Sequence, residues 1–226
     1  MRSFAVAHGR SSKAEKIEAV LCEALDIDRV RGCTILDIGA GSGHIAAHFT
    51  ADNVVTAADV EDQLVVRDPN LRFVRLGGDR LPSDDAQFDI VVLNHVLAYV
   101  PDQLALLREV GRVLKADGCC YVANPNRLFP LDPHSHMPFV HYLPQTWYEG
   151  VVNRVRHASE RILLHTTGGM RDLFIKADLD WTDYTVNVLH DPDRYHTNAP
   201  FRTPQWRWLS RLSPTNIFVV RKRSPK

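Results

Sequence analysis

Residues 35–43, Ile-Leu-Asp-Ile-Gly-Ala-Gly-Ser-Gly, constrain this chain more than any other segment. A short apolar run ends in three glycines spaced two apart, and His44-Ile-Ala-Ala-His-Phe49 follows with helical character. That order reads as a buried strand, a tight turn and a helix. Glycines at 39, 41 and 43 tolerate backbone angles closed to other residues and let a ligand approach the main chain. Backbone N–H groups left unpaired at such a turn can meet a carboxylate or a phosphate.

The elements that follow place the loop in an α/β frame. Asn53–Ala58 predicts a second strand ending at Asp59, Leu71–Leu76 a third, and Phe88–Leu93 a fourth. The last is almost continuously apolar, as in strands covered on both faces. Asp102–Lys115 carries Leu106, Leu107, Val110, Val113 and Leu114 on one helical face. Asp117-Gly118 stops it, and Cys119–Ala123 predicts a fifth strand. Alternating strands and helices imply a parallel sheet with right-handed crossovers. Helices are expected at 11–26, with Ser12 as cap, and at Thr167–Ala177. A strand is expected at Asp180–Val188, a loop over 190–204, a short helix over 204–211 and a last strand at Asn216–Val220. Residues 1–226 read as a single domain, in which 124–165, rich in Pro, His and aromatics, form a cap-like insertion after the fifth strand.

Asp59 stands twenty residues after Gly39, where a carboxylate can accept from both hydroxyls of a ribose. The loop does not complete the dinucleotide pattern, because His44 occupies the place of its last glycine. No Gly-Lys-Ser/Thr follows either. A nucleoside that is neither a nicotinamide dinucleotide nor ATP is favoured.

Together with Gly77-Gly-Asp-Arg-Leu-Pro82, FDIVVLNHVLAYV at 88–100 and LLREVGRVLKADG at 106–118, these motifs resemble the class I S-adenosylmethionine-dependent methyltransferases. The group related to ubiquinone and menaquinone biosynthesis methyltransferases matches best, over roughly residues 15–125. The resemblance implies a Rossmann-like sheet of seven strands, mostly parallel, with an antiparallel last strand inserted between the fifth and sixth and helices on both faces. It implies that Asp37, Gly39, Ala40, Gly41 and Gly43 approach the methionine part of S-adenosyl-L-methionine. Asp59 would hold the ribose, Asp79 the adenine amino group, and Arg80 would flank the ring. Asn94 and His95 would line the methionine end and the acceptor side.

Methyl transfer to a hydroxyl needs a base, and histidine suits neutral pH. His95 and His134 are the candidates. His136, His141, Tyr142 and Arg127 lie with His134 in the segment after the fifth strand, and are expected on the acceptor side. Arg127 has a competing reading as a surface partner of Asp132. His134 and His136 have HxH spacing without a third ligand pattern, so no metal site is expected. Phe4 and His8 precede the first expected helix; Trp147, Tyr148, Trp181, Trp206 and Trp208 read as core or lid.

Twenty-seven basic and twenty-seven acidic residues cancel, so no global field gathers nucleic acid. No run approaches the roughly 18 apolar residues of a membrane span. No secretory leader is evident, and Cys22, Cys33, Cys119 and Cys120 have neither zinc nor disulfide spacing. The expectation is a cytoplasmic enzyme, monomer or homodimer, that methylates a small molecule, with oxygen favoured. The other readings are a non-catalytic protein that binds the cofactor or its product and acts through a partner, or a methyltransferase for RNA or protein.

Overall fold

The computed structural model describes residues 2–78, 80–132, 137–156, 162–197 and 211–223, with residues 2–11, 145, 149, 152, 153, 155 and 156 described by backbone alone. Seven strands form one sheet: β1 (Thr34–Ile38), β2 (Val54–Asp59), β3 (Leu71–Arg75), β4 (Phe88–Asn94), β5 (Leu114–Pro125), β6 (Leu179–Asp183) and β7 (Thr215–Lys222). Their order is β3-β2-β1-β4-β5-β7-β6. The first five are mutually parallel, and β7 runs antiparallel between β5 and β6. This is the architecture the resemblance implies.

Alternation along the strands sorts the core into two layers. Ile35, Ile90, Val92, Cys119 and Tyr121 face Ile17, Val20 and Leu21 of α1 (Arg2–Leu25) and Phe49 of α2 (His44–Phe49). Leu36, Ile38, Val91, Leu93, Cys120 and Val122 face Leu107, Val110 and Val113 of α3 (Gln103–Val113). Met170 and Phe174 of α5 (Thr167–Lys176) complete that layer. Between α3 and α5, α4 (Gln145–Arg156) lies within the segment after β5. The sheet is therefore covered on both faces, as the apolar runs of β1 and β4 require. Asp102 caps α3, its carboxylate accepting from Ala105 N–H at 2.9 Å.

Three boundaries differ from expectation. The first helix starts at Arg2 rather than residue 11, so Ser12 lies inside it and Phe4 and His8 belong to it. The expected strand at Asp180–Val188 ends at Asp183, and α6 (Thr185–His190) follows. There Asp183 Oδ1 accepts from Thr185 N–H at 3.0 Å and closes the strand. Tyr184 and Val188 then point into one core layer at helical spacing. Finally, β5 begins at Leu114, because Leu114 already pairs with Phe88 before a bulge resets the register at Ile90 and Cys119. The short helix expected at 204–211 lies almost wholly outside the described residues, as do Trp206 and Trp208.

The strand order reverses between β1 and β4, since β1 is followed outward by β2 and β3 on one side and by β4 on the other. Open α/β sheets place ligands at the carboxyl ends of the strands beside such a point.

Candidate functional site

The glycine loop occupies that place. Gly39, Gly41 and Gly43 have φ of 71°, 51° and 78°. Gly39 has a second reason to lack a side chain: a Cβ there would lie 2.3 Å from Val96 Cγ2, in the segment after β4. A Cβ on Gly43 would lie 2.5 Å from Leu64 Cδ2. The loop is stitched to β2 by Gly39 N–H donating to Ala58 O at 2.7 Å and Ala40 N–H to the same oxygen at 3.3 Å. Asp59 completes the stitch. Its Oδ2 accepts from Gly41 N–H at 2.7 Å and its Oδ1 from Val60 N–H at 2.7 Å. Each carboxylate oxygen keeps a second lone pair for a ligand.

Beside this loop opens a cavity of about 660 Å³, lined by Gly39, Asp59, Gly78 and Arg80 with apolar walls that include Leu81, Val96 and Leu106. Its size falls within the ordinary range for small-ligand sites. Asp79 lies outside the described residues, between two that line the cavity. The 78–85 loop is held by α3. Arg112 donates to Leu81 O at 3.1 Å, Ser83 O at 2.9 Å and Asp85 Oδ1 at 2.6 Å. It also pairs with Glu109, whose Oε2 accepts from Leu81 N–H at 2.9 Å. These ion pairs hold the Glu109 carboxyl below the usual range. The residue roles expected from sequence left out Glu109 and Arg112. Their signal is the Glu-x-x-Arg step on the polar side of a strongly patterned helix.

Asp37, Asn94 and His95 sit near the cavity without lining it. Alternation along β1 puts Asp37 on the face covered by α2, where it is 3% exposed and its Oδ2 has no hydrogen-bond partner among the described residues. Burial pushes its carboxyl up to about 7; an N–H bond from Ala46 opposes that, and the Asp59 charge adds to it. Asn94 is the last residue of β4, in register with Ala123. His95 follows with φ of 62° and donates its backbone N–H to Ala123 O at 2.8 Å. Burial, with Lys16 and Lys13 of α1 adding like charge, pulls its imidazole down to about 4.

A second cavity, of about 600 Å³, lies over the segment after β5 and is bordered by Arg127, His141, Tyr142, Tyr148, Gln103 and His165 among others. Its wall is tied to the short 3-10 turn Leu97–Tyr99, whose Tyr99 lines the first cavity. There Leu163 N–H donates to Ala98 O at 2.8 Å, and Gln103 Nε2 donates to Leu97 O at 2.8 Å. His141 Nε2 lies 3.0 Å from Arg127 O, and since a carbonyl only accepts, that nitrogen carries the proton. Its other nitrogen is buried without a hydrogen-bond partner among the described residues, 4.0 Å from Asp132 Oδ2. Asp132 is fully buried and accepts from Tyr148 Oη at 3.4 Å, whereas Arg127 is exposed. The expected alternative, a surface pair of the two, is not what forms. His134 and His136 lie outside the described residues. Among the described residues, no three His, Cys, Asp or Glu side chains cluster as a metal site would require.

The family model described as a methyltransferase domain matches residues 36–122. That span runs from β1 through β5 and includes the glycine loop, Asp59 and both walls of the first cavity. Over that span the chain is similar to proteins carrying the methyltransferase domain. The chain is 34% identical over 102 residues to a ubiquinone/menaquinone biosynthesis C-methyltransferase of Idiomarina loihiensis, an alignment covering 39% of this chain and 41% of that one. The chain thus spans about two fifths of the length of that relative. An uncharacterized methyltransferase of Mycobacterium leprae is 29% identical over 198 residues, covering 84% of this chain and 70% of its own. In fold, the chain is similar to the 1,6-didemethyltoxoflavin-N1-methyltransferase of Burkholderia thailandensis, solved with 1,6-didemethyltoxoflavin and S-adenosylhomocysteine bound. The TM-score is 0.55 at 19% identity, covering 94% of this chain and 80% of the other.

Proposed function

We propose that this protein is a methyltransferase of the class I S-adenosylmethionine-dependent type, which transfers a methyl group from S-adenosyl-L-methionine to a hydroxyl oxygen of a small-molecule acceptor. The observation that carries the donor side is Asp59, tied to Gly41 at 2.7 Å and facing a cavity of about 660 Å³ with spare lone pairs on both oxygens. When bound, S-adenosyl-L-methionine supplies a methyl group on a sulfonium that leaves as a neutral thioether.

The chain's own residues then have three tasks. Asp59 accepts from the ribose hydroxyls, and Arg80 and Asp79 serve the adenine. The Gly39, Ala40, Gly41 and Gly43 backbone holds the methionine portion, and Asp37, ionised on binding, offers its unpartnered oxygen to the ammonium there. Asn94 and His95 border the reacting end. His95, neutral above about pH 4, keeps a free lone pair through the physiological range and accepts the hydroxyl proton. So weak a base suits a phenol better than an alcohol, because proton transfer is most efficient when the two acidities approach each other. His134 is the second candidate for that proton. Alignment and exclusion of water supply the rest of the rate.

We further propose that residues 124–165 are the acceptor-side elaboration of a single domain, with Arg127, His136, His141 and Tyr142 toward the acceptor. Four free cysteines suit a reducing cytoplasm, and no helix among the described residues is long and apolar enough to cross a membrane. The test is transfer of labelled methyl groups to a panel of hydroxylated small molecules, with Asp59→Ala beside the parent. Labelled ethers, and a KM for S-adenosyl-L-methionine raised about tenfold or more in the variant, are expected from loss of a charge-assisted pair. Label appearing only on nitrogen, on carbon or on a macromolecule contradicts the oxygen reading.

A further inference from the structure

The second cavity has an electrostatic character that the donor site does not explain. Arg112, Arg171 and Arg194 each have a carboxylate partner within 3.2 Å. Arg127 has none among the described residues, though it borders a cavity of about 600 Å³. Its charge reaches into that space, because it helps to lower the His165 imidazole, after the larger effect of burial. Asp132, five residues further along the sequence, is fully buried against Tyr148 and His141.

A solvated surface arginine would need no support, yet this one is held at the backbone from two sides. Arg127 N–H donates to His165 O at 3.0 Å, and Arg127 O accepts from His141 at 3.0 Å. The preceding residue, Asn126, is 2% exposed and donates to Arg211 O at 2.8 Å and Ser213 O at 2.9 Å. Three separate segments therefore fix where the guanidinium starts. Apart from Gln103 and His165, which bond to each other, the rest of the wall is aromatic or aliphatic. The His141 and Tyr142 rings lie 4.5 Å apart at 34°, and Leu143, Pro144 and Ile162–Leu164 close the sides.

We propose that the second cavity is an anion-recognising acceptor subsite: Arg127 pairs with a carboxylate of the acceptor, and the aromatic and aliphatic wall takes a planar, aromatic skeleton. This deepens, and rests on, the reading of a small-molecule methyltransferase. A guanidinium matches a carboxylate through two parallel N–H···O bonds, which a lysine cannot reproduce. The carboxylate end is anchored at Arg127, while Leu163 of this cavity is bonded to Ala98, next to Tyr99 of the donor cavity, so the far end of the acceptor is aimed toward the donor side. Under this proposal His141 is a positioning residue, because its proton is committed to the Arg127 carbonyl.

The test is calorimetric binding to protein saturated with S-adenosylhomocysteine. The probes are 4-hydroxybenzoate, 3,4-dihydroxybenzoate and 4-hydroxycinnamate, each beside its primary amide, with phenyl phosphate as the competing anion. At least one carboxylate is expected to bind about tenfold tighter than its amide, the value of a charge-assisted pair. Arg127→Gln should abolish that preference and Arg127→Lys keep only part of it, both with unchanged S-adenosylhomocysteine affinity as the check on folding. Equal binding of acid and amide, a preference surviving in Arg127→Gln, no carboxylate binding, or phenyl phosphate binding in their place overturns the proposal. If S-adenosylhomocysteine itself does not bind the folded parent, the donor reading fails and this inference falls with it. If it binds and the carboxylates do not, only this inference fails.

Discussion

At the scale of single residues, Asp37 and Gly39 make opposed demands on the same loop. Asp37 has a folded-state carboxyl raised from the ordinary 3.8 to about 7 by burial, so the folded protein holds a proton that the unfolded chain releases. Stability is therefore full below about pH 4 for this group and falls as the pH rises toward 7, by up to about 4 kcal/mol. Asp37→Asn is expected to stabilise the ligand-free protein at pH 8, measured by urea unfolding, while weakening S-adenosyl-L-methionine. In the parent, the affinity for that cation should climb as the pH rises through about 7, because binding favours the ionised carboxylate. An affinity flat between pH 5.5 and 8.5 would argue against Asp37 facing the ammonium. Gly39→Ala meets both a positive φ and a Val96 methyl at 2.3 Å. The φ alone costs roughly 1–2 kcal/mol, and the clash adds to it. The double variant Gly39→Ala, Val96→Ala should recover part of the loss in urea unfolding, since it relieves the clash and leaves the backbone strain. No recovery at all would mean that the clash contributes nothing.

At the scale of elements, α3 does more than cover the sheet. Arg112 is mostly buried and its guanidinium binds Glu109, Asp85 and two backbone carbonyls of the 78–85 loop, so it joins the helix to one wall of the donor cavity. Arg112→Met should cost roughly 1–3 kcal/mol, because it leaves a half-buried Glu109 without its cation. Glu109→Gln combined with Arg112→Met should be milder than Arg112→Met alone in thermal unfolding. Additive losses would contradict this account of the pair. Sequence made some elements plain and hid others for physical reasons. β1, its glycine turn and β2 depend on local backbone needs that only certain residues meet, and they stand where expected. Trp181-Thr-Asp-Tyr-Thr-Val favours a strand by propensity, but the turn at Asp183 and the burial of Tyr184 and Val188 on one helical face override it. α4 follows Pro144, whose carbonyl accepts from Trp147 and Tyr148 N–H at 2.9 and 3.0 Å. The proline, histidine and aromatic content of 124–165 concealed that start.

At the scale of the whole molecule, strand order follows from the motif order, and the position of the donor cavity follows from strand order. That is why Gly39, Asp59 and Arg80, far apart in sequence, border one space as their motifs imply. The acceptor side is harder to read, because it is built by long-range contacts. Arg127 and Asp132 are close enough in sequence to suggest a pair, but Tyr148, sixteen residues beyond Asp132, draws the carboxylate inside. His141 likewise turns its proton to a carbonyl fourteen residues away rather than outward. The central claim is that the β1–β4 switch point holds S-adenosyl-L-methionine through Asp59. Calorimetric titration of the purified protein with S-adenosyl-L-methionine, NAD and ATP, beside Asp59→Ala, tests it most directly. The account predicts micromolar binding of S-adenosyl-L-methionine alone, weakened about tenfold or more in the variant. Folded protein that ignores S-adenosyl-L-methionine, or binds it equally well without the Asp59 carboxylate, would contradict it.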